Sequence, residues 1–237
     1  MLNQSEYLRS ISREYGLDIN EDMAKKFAKY SELLLEWNQK MNLTAITDPK
    51  EIIIKHFVDS LLLLSAVDIQ DQSLIDIGTG AGFPGIPLKI AKSEIKLTLL
   101  DSLNKRLIFL KEVIDNLALD DVDLIHARAE DGAREERLRE SFDIATSRAV
   151  ASLPALLEYA LPYVKVGGIF VAMKGPNADE EVEVSQNALE ILGGELMEIK
   201  KYVLPDGSVR NIVIIKKVKK VPSKYPRRGV KISKKPL

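Results

Sequence analysis

Residues 73–88 read S-L-I-D-I-G-T-G-A-G-F-P-G-I-P-L, and this stretch decides how the rest of the chain can fold. It opens with a short apolar run, which predicts a buried parallel strand, and it closes with apolar residues at helical spacing. Between them lie Gly78, Gly80, Gly82 and Gly85. Glycines permit positive φ and remove Cβ, so the backbone can approach a ligand closely, and the helix start offers free N–H groups. The stretch therefore predicts a strand–turn–helix cradle for a phosphate or a nucleoside.

The glycine spacing fits two patterns. Gly80, Gly82 and Gly85 satisfy G-x-G-x-x-G, the dinucleotide fingerprint. Asp76 and the glycines from Gly78 onward satisfy D-x-G-x-G-x-G, which is how S-adenosylmethionine (SAM) methyltransferases look. The second pattern is better placed because Gly78 directly follows the strand. Both cofactors stay open on this stretch alone.

Strand and helix patterns alternate after the glycine turn. The strand patterns lie at 95–100, 122–126, 142–146 and 165–173. Such alternation predicts an α/β fold with a mostly parallel sheet and helices on both faces. Residues 195–204 and 208–217 flank a Pro-Asp-Gly-Ser turn, which predicts a C-terminal hairpin with an antiparallel strand. This combination is typical of Rossmann-like class I methyltransferases.

Composition excludes several classes of protein. The 237 residues contain no cysteine and two histidines, which excludes disulfides and cysteine-based metal sites, and we expect no metal. No apolar run reaches the ~18 residues of a membrane span. The N-terminus shows no secretory signal, so we expect a cytoplasmic protein without membrane contact.

Charge is unevenly distributed although the net charge is −1. Residues 200–237 hold 13 Lys and Arg residues against one acid. This asymmetry predicts a basic patch for a polyanionic partner. The predicted RNA-binding residues are Lys216, Lys217, Lys219, Lys220, Lys224, Arg227 and Arg228.

Polar residues follow successive strands at the edge where ligands of parallel sheets bind. Asp101 ends the second strand and suits ribose hydroxyls in NAD and SAM enzymes alike. Ala129 and Glu130 follow the third strand, where a small residue lets adenine lie against the backbone and a carboxylate can bond the ring's amino group. Arg148 follows the fourth strand and could hold the carboxylate of SAM's methionine portion or an RNA phosphate.

A substrate pocket is predicted on the same rim. Lys174 ends the fifth strand, while Asn42 and His56 lie in the N-terminal segment that would cover the rim. Together with Arg148 these are candidates for positioning a substrate. Thr44 and Asp59 belong to the same segment.

Four sequence blocks together resemble one family. D-I-G-T-G-A-G-F-P-G-I-P-L (76–88), L-L-D-S-L-N-K-R (99–106), H-A-R-A-E-D (126–131) and S-R-A-V-A (147–151) are similar to the bacterial small-subunit ribosomal RNA guanine-N7 methyltransferases, the RsmG or GidB family. The N-terminal W-N-Q-K-M-N-L-T-A-I-T-D and H-F-V-D-S-L also look like that family. The match is collinear over residues 31–217.

The resemblance implies methylation of a guanine N7 in the 530 loop of 16S ribosomal RNA, with SAM as donor. It implies a SAM site near Gly78, Phe83, Ala129, Glu130 and Arg148. Its partner would be 16S rRNA, in a small subunit or an assembly intermediate, and we expect a monomer. Guanine N7 carries a free lone pair, so no acid, base or covalent intermediate is needed and catalysis reduces to in-line positioning.

Three regions follow from these patterns. Residues 1–66 would form a helical extension packed on the core, with helices at 4–16 and 20–40; residues 67–220 would form the SAM-binding domain; and residues 221–237 would form a basic tail.

Two other functions remain open on the sequence alone. One is an NAD-dependent oxidoreductase that uses the dinucleotide frame, and the other is a non-catalytic RNA-binding protein of ribosome assembly.

Overall fold

A single seven-stranded sheet organises the computed structural model, which describes residues 4–237. Its strand order is β3-β2-β1-β4-β5-β7-β6. The strands are β1 (Ser73–Ile77), β2 (Lys96–Asp101), β3 (Val122–His126), β4 (Phe142–Arg148), β5 (Val164–Lys174), β6 (Gly194–Val203) and β7 (Val209–Lys217). The pairs among β1–β5 are parallel, and β7 runs antiparallel to both β5 and β6. The predicted fold class and hairpin are therefore confirmed.

The strand order reverses between β1 and β4. The chain builds outward from β1 through β2 to β3, then returns to place β4 on the other side of β1. Ligands of open α/β sheets bind outside the carboxyl ends of the strands at such a switch point. The glycine turn after β1 lies at this point, followed by α5 (Gly85–Ala91).

Helices from the N-terminal segment cover one face of the sheet. They are α1 (Gln4–Glu14), α2 (Glu21–Asn38), α3 (Pro49–Ile52) and α4 (Asp59–Ala66), and α6 (Asn104–Leu117) lies beside them. The Asn20 side chain caps α2 by accepting a bond from the Met23 N–H at 2.9 Å. Apolar side chains of these helices and of the sheet form one core. Residues 1–3 of the proposed extension lie outside the described residues.

A π-helical turn interrupts the helix that begins at Pro49. It spans Ile53–Val58 and joins α3 to α4. Such turns occur often at functional sites because they re-aim side chains. His56 lies in this turn, and Asp59 begins the helix that follows it.

The second face carries the shorter helices. They are α7 (Ala129–Gly132), α8 (Leu153–Ala160), a 3-10 turn (Leu161–Tyr163), α9 (Ala178–Glu183) and α10 (Gln186–Leu192). The sequence predicts one helix over 177–192, and this is wrong because the chain breaks between α9 and α10. The buried Ser185 hydroxyl donates to the Glu181 carbonyl oxygen at 2.5 Å at this break.

The tail segment, residues 221–237, folds back onto this second face and contains α11 (Gly229–Lys234). The Arg139 guanidinium donates to the carbonyl oxygens of Val221 and Tyr225, each at 3.0 Å. Tyr225 and Ile232 are buried. The tail segment is thus part of the packed body. Within residues 4–237, no helix combines the length and apolarity that crossing a membrane requires.

Candidate functional site

A cavity of about 960 Å³ opens at the carboxyl ends of β1 to β4. We call it the larger cavity. Its lining includes Gly78, Asp101, Arg106, Ala129, Glu130, Val150, Tyr159 and residues of the tail segment. This volume lies within the range of sites for cofactors and drug-sized ligands. The structure thus brings together four of the residues that the sequence predicts for a cofactor: Gly78, Asp101, Ala129 and Glu130.

The glycine turn shapes the floor of the larger cavity. Gly78, Gly80 and Gly82 have φ of +68°, +62° and +97°, a region that disfavours residues with a Cβ. A Cβ on Gly78 would lie 2.6 Å from Cγ2 of Val150, which lines the same cavity. The turn therefore requires glycine at Gly78 both for its backbone conformation and for the space beside it.

Gly85 serves packing instead of the cavity. A Cβ there would lie 2.5 Å from Cδ2 of Leu99, so glycine lets α5 approach the sheet. Its N–H donates to Asp76 Oδ2 at 2.9 Å, and the Thr79 hydroxyl donates to the same oxygen at 2.7 Å. Burial raises the pKa of Asp76 to about 6, while these two bonds oppose the rise. Asp76 therefore fixes the turn from beneath it.

Asp101 holds the two chain segments that meet at the rim of the larger cavity. Its Oδ2 accepts a bond from the Gly80 N–H and its Oδ1 from the Leu103 N–H, both at 2.9 Å. Arg106 lies 3.2 Å from Oδ2. The carboxylate thus ties the glycine turn to the start of α6 and remains part of the cavity lining.

Ala129 and Glu130 begin the short helix α7 and belong to the lining of the larger cavity. The buried Tyr163 hydroxyl donates to the Ala129 carbonyl oxygen at 2.7 Å, which fixes this backbone against the cavity. Burial, with neighbouring acids, raises the pKa of Tyr163, so the hydroxyl stays protonated as a donor. Glu130 lies against Gly229 of the tail segment.

A second cavity of about 370 Å³ adjoins the first, and we call it the smaller cavity. Its lining is Lys55, His56, Asp59, Arg148, Ala149, Met173, Lys174, Gly175, Glu181 and Arg210. Ala149 lines both cavities, so they meet at the end of β4. Four side chains of the smaller cavity are basic and two are acidic, which suits an anionic or hydrogen-bonding ligand.

Arg148 is held by several partners on the wall of the smaller cavity. Its guanidinium donates to Asp59 Oδ2 at 2.7 Å and to the Lys55 carbonyl oxygen at 3.1 Å. The other oxygen of Asp59 accepts a bond from Arg210 Nε at 2.8 Å. Arg148 therefore lines the smaller cavity, beside the point where both cavities meet, and is separate from the group around Gly78 and Asp101.

His56 and Phe83 support Arg148. The His56 ring stacks on Phe83 with centroids 4.5 Å apart, and the Arg148 guanidinium lies 4.9 Å from the Phe83 ring centre. Burial and the positive charge of Arg148 lower the pKa of His56 to about 3. Arg148 can only donate, so His56 Nδ1 accepts at 3.2 Å and Nε2 donates to the Thr44 hydroxyl oxygen at 2.8 Å. His56 is thus a neutral, fixed support.

The loop after α2 is built by a residue that the sequence analysis missed. Asn38 accepts bonds from the N–H groups of Leu43 and Thr44 at 2.8 Å and 3.0 Å, and it donates to the Thr44 carbonyl oxygen at 2.9 Å. These bonds place Thr44 against His56. Asn42, the predicted residue, is exposed in this loop and is not part of the smaller cavity's lining. The signal for Asn38 was its position at the last residue of α2, before a polar loop.

Lys174 lies where the sequence predicts it, on the rim beside Arg148. Its ammonium group is 2.7 Å from Glu181 and donates to the Ala151 carbonyl oxygen at 2.9 Å. Glu181 also accepts a bond from the Leu153 N–H at 2.5 Å. Glu181 in α9 thus orders both the rim and the start of α8.

Two of the predicted RNA-binding residues do not face solvent as that role requires. Lys217 is fully buried, and its ammonium group lies 3.1 Å from Glu140 and donates to the Leu161 carbonyl oxygen at 2.7 Å. Burial lowers its pKa. Arg227 pairs with buried Glu158 at 2.6 Å. The predicted RNA-binding role of Lys217 and Arg227 is therefore corrected, because both cations form ion pairs that stabilise the fold. Lys219, Lys220, Lys224 and Arg228 are exposed, and Lys216 is partly exposed.

Solved structures show which kind of fold the sheet and helices form. A SAM-dependent methyltransferase from Aquifex aeolicus superposes with a TM-score of 0.53 at 17% identity, over 76% of this chain and 97% of that one. TrmN from Thermus thermophilus gives 0.53 at 16% identity, over 68% and 48%. This likeness shows that the chain has the Rossmann-like fold found in SAM-dependent methyltransferases. The glycine turn, Asp101 and the larger cavity fit the nucleoside of SAM.

Sequence relatives narrow the class to a family. Residues 23–213 match the family described as "GidB: rRNA small subunit methyltransferase G". The "Ribosomal RNA small subunit methyltransferase G" of Acetivibrio thermocellus is 54% identical over 94% of this chain and 92% of that protein. The protein of the same name from Clostridium kluyveri is 50% identical over 98% of both. The chain belongs to this family, which confirms the resemblance, the enzyme class and the cofactor.

Proposed function

We propose that this enzyme transfers the methyl group of SAM to N7 of a guanine in 16S ribosomal RNA, in the 530 loop region. The observation that carries the proposal is the pair of adjoining cavities that share Ala149. One cavity suits a nucleoside cofactor, and the other is basic and large enough for one base. The names of the relatives support small-subunit ribosomal RNA as the substrate.

The smaller cavity would receive the target guanine. The carboxylate of Glu181 can accept a bond from the N1–H or the amino group of guanine, and the arginines can donate to its O6. Lys55 would attract a phosphate of the RNA. N7 lies on the major-groove edge, which side chains cannot reach in an A-form helix. A looped or opened guanine is therefore the expected substrate.

The larger cavity would hold SAM through Gly78, Asp101, Ala129 and Glu130. When bound, SAM supplies an electrophilic methyl group on a sulfonium. Arg148 lies beside the meeting point of the cavities, which supports a role toward the methionine carboxylate, the base or both. Gly80, Gly82 and Phe83 act indirectly in this scheme, because they shape the turn and support Arg148.

Positioning would supply the catalysis. The new C–N bond uses the N7 lone pair while the C–S bond breaks, and no proton moves. Neutral His56 is not needed as a base, since its Nδ1 already accepts from Arg148. Its role would be to hold Arg148, while Lys174 would hold the rim.

The exposed cations of the C-terminal segment extend the proposal to the RNA. Lys216, Lys219, Lys220, Lys224 and Arg228 are proposed to contact phosphates, with an affinity that falls as salt rises. Acting on ribosomal RNA would place the enzyme in the cytoplasm. We also propose that it acts as a monomer.

The direct test is transfer from labelled SAM to ribosomal RNA purified from a strain that lacks the enzyme. Incorporation should appear in 16S rRNA, and chemical cleavage at N7-methylguanine should map it to the 530 loop. Wild-type rRNA, already methylated, is the matched control and should accept no label. Free RNA, assembly intermediates and complete subunits tested side by side identify the preferred substrate. No incorporation into any unmethylated form would refute the proposal.

A further inference from the structure

The tail segment forms one wall of the larger cavity. Arg228, Gly229, Val230, Ser233 and Pro236 all belong to the lining of that cavity. Gly78 of the glycine turn and Asp101 belong to the same lining. The cavity still measures about 960 Å³ with the tail segment in place, so the tail segment borders the space without filling it.

A buried ion pair fixes the tail segment beside the cavity. Arg227 Nε and a terminal nitrogen donate to Glu158 at 2.9 Å and 2.6 Å, and the Arg227 N–H donates to the same carboxylate at 2.6 Å. Glu158 is fully buried in α8. Hydrogen bonding to Glu158 raises the pKa of Arg227 above its ordinary value. Three N–H groups of Arg227 bond to this one buried carboxylate and hold the residue that directly precedes the cavity-lining part of the tail segment.

Two other arginines hold the chain before Arg227. Arg139 donates to the carbonyl oxygens of Val221 and Tyr225, and Arg134 donates to that of Pro226. These bonds use backbone acceptors, so they fix the path of the chain whatever its side chains are. A segment that served only as a flexible RNA-binding arm would not need a fixed path.

The tail segment touches the cofactor side of the site through Gly229. A Cβ on Gly229 would lie 2.1 Å from Glu130 Oε1, so the Glu130 carboxylate would have to move aside to admit it. Glu130 and Gly229 both line the larger cavity. The tail segment and the proposed adenine-binding residue therefore form one continuous surface.

We propose that the tail segment is a built-in part of the cofactor site, which closes over the adenosine end of SAM, with Arg227 as the residue that positions it. This inference rests on SAM as the cofactor and not on the identity of the methylated RNA. Part of the positive charge at the C-terminus then serves to fasten this wall, since Arg227 is paired inside the protein.

The test measures the dissociation constant for SAM alone, by calorimetry on the full-length protein. Arg227→Gln should raise it at least tenfold by releasing the wall. Gly229→Ala should also raise the dissociation constant, because the new Cβ displaces the Glu130 carboxylate at the contact between the tail segment and α7. It leaves the bonds between Arg227 and Glu158 in place, so it decides the matter if Arg227→Gln folds poorly. Arg137→Gln is the matched control, because Arg137 pairs with Glu135 in solvent and should leave the constant unchanged.

Limited proteolysis gives an independent readout. Trypsin sites at Arg228, Lys231 and Lys234 lie in the exposed part of the tail segment. Saturating SAM should slow cleavage at these sites in the wild type at least fivefold, and much less in Gly229→Ala. The proposal is overturned if both variants bind SAM within twofold of the wild type, or if SAM leaves cleavage unchanged. Neither measurement involves RNA, so a wrong RNA assignment would not affect the result.

Discussion

The carboxylate of Asp59 joins two arginines that are far apart in the chain: Arg148 lies 2.7 Å from one oxygen, and Arg210 lies 2.8 Å from the other. Asp59 begins α4, Arg148 ends β4, and Arg210 lies near the start of β7. Because the side chain of Asp59 is only 4% exposed, neither arginine can swing away without leaving a buried charge short of a partner. This cluster fixes the wall of the smaller cavity.

The first prediction separates the two arginines. Arg148→Ala should lower kcat/KM for methyl transfer at least 100-fold and raise the dissociation constant for SAM about tenfold, because Arg148 lies at the junction of the cavities. A 100-fold loss corresponds to about 2.7 kcal/mol. Steady-state kinetics and SAM calorimetry check both values.

Arg210→Ala is the matched variant, since it removes the other partner of Asp59. It should raise the KM for RNA and leave SAM binding within twofold of the wild type. Should Arg148→Ala also leave SAM binding unchanged, Arg148 would belong to the RNA side alone.

The second prediction concerns the glycine turn. Gly78→Ala should abolish detectable SAM binding, because the new Cβ would lie 2.6 Å from Val150 and the residue has φ of +68°. Gly16→Ala is the control, since Gly16 has φ of +73° with nothing within 4 Å of an added Cβ. It should lose about 1 kcal/mol of stability and bind SAM normally. Adding Val150→Ala to Gly78→Ala should restore part of the binding, and no recovery would mean that backbone strain alone is responsible.

The sequence predicts the fold well because its signals are local. The glycine turn after a buried run and the Pro-Asp-Gly-Ser turn each depend on residues close together in the chain. The same holds for Asp101 and Ala129, whose positions at strand ends place them at one edge of the sheet. These features could be placed from spacing alone.

The site's second cavity depends on contacts that spacing does not show. Asp59 bonds Arg210 across 151 residues, and the π-helical turn around His56 has no local sequence signal. The positive charge of Lys217 and Arg227 led to a wrong prediction of RNA binding in the same way. A count of charges cannot tell a cation on the surface from one that satisfies a buried carboxylate.

The third prediction contrasts a buried lysine with its exposed neighbours. Lys217→Met should cost about 3 kcal/mol of unfolding free energy, because it leaves Glu140 and the Leu161 carbonyl oxygen without their ammonium partner. It should not change the salt dependence of RNA binding. Urea unfolding and binding at several salt concentrations measure the two effects.

Lys219→Gln and Lys220→Gln are the comparison, because both side chains are exposed. Each should leave stability within about 0.5 kcal/mol and reduce the slope of log K against log salt by about 1. A changed slope in Lys217→Met, with unchanged slopes in these two, would contradict the division between structural and RNA-facing cations.

The fourth prediction uses the lowered pKa of His56. Its pKa is about 3 in the folded protein against an ordinary 6.5, so the unfolded chain binds this proton first as the pH falls. The contribution of His56 to the free energy of unfolding is therefore fully present above pH 6.5. It is lost as the pH falls from 6.5 toward 3, at about 1.4 kcal/mol per pH unit. His56→Gln has no such group, so this loss is absent. Between pH 6.5 and 4.5 its free energy of unfolding should fall by about 2 kcal/mol less than that of the wild type.

The effect of His56 must be measured as the difference between wild type and His56→Gln at each pH. The pH curve of one protein alone does not show it, because protonation of Asp76 changes the free energy of unfolding in the opposite direction. Its pKa is raised to about 6, so its proton stabilises the fold as the pH falls through 6 toward 3.8 and partly hides the effect of His56. The difference between wild type and His56→Gln cancels this contribution, since Asp76 is present in both. Urea unfolding at pH 6.5, 5.5 and 4.5 gives the three differences. Parallel pH curves for the two proteins would show that His56 is protonated in the folded state and would remove the basis for treating it as the neutral support of Arg148.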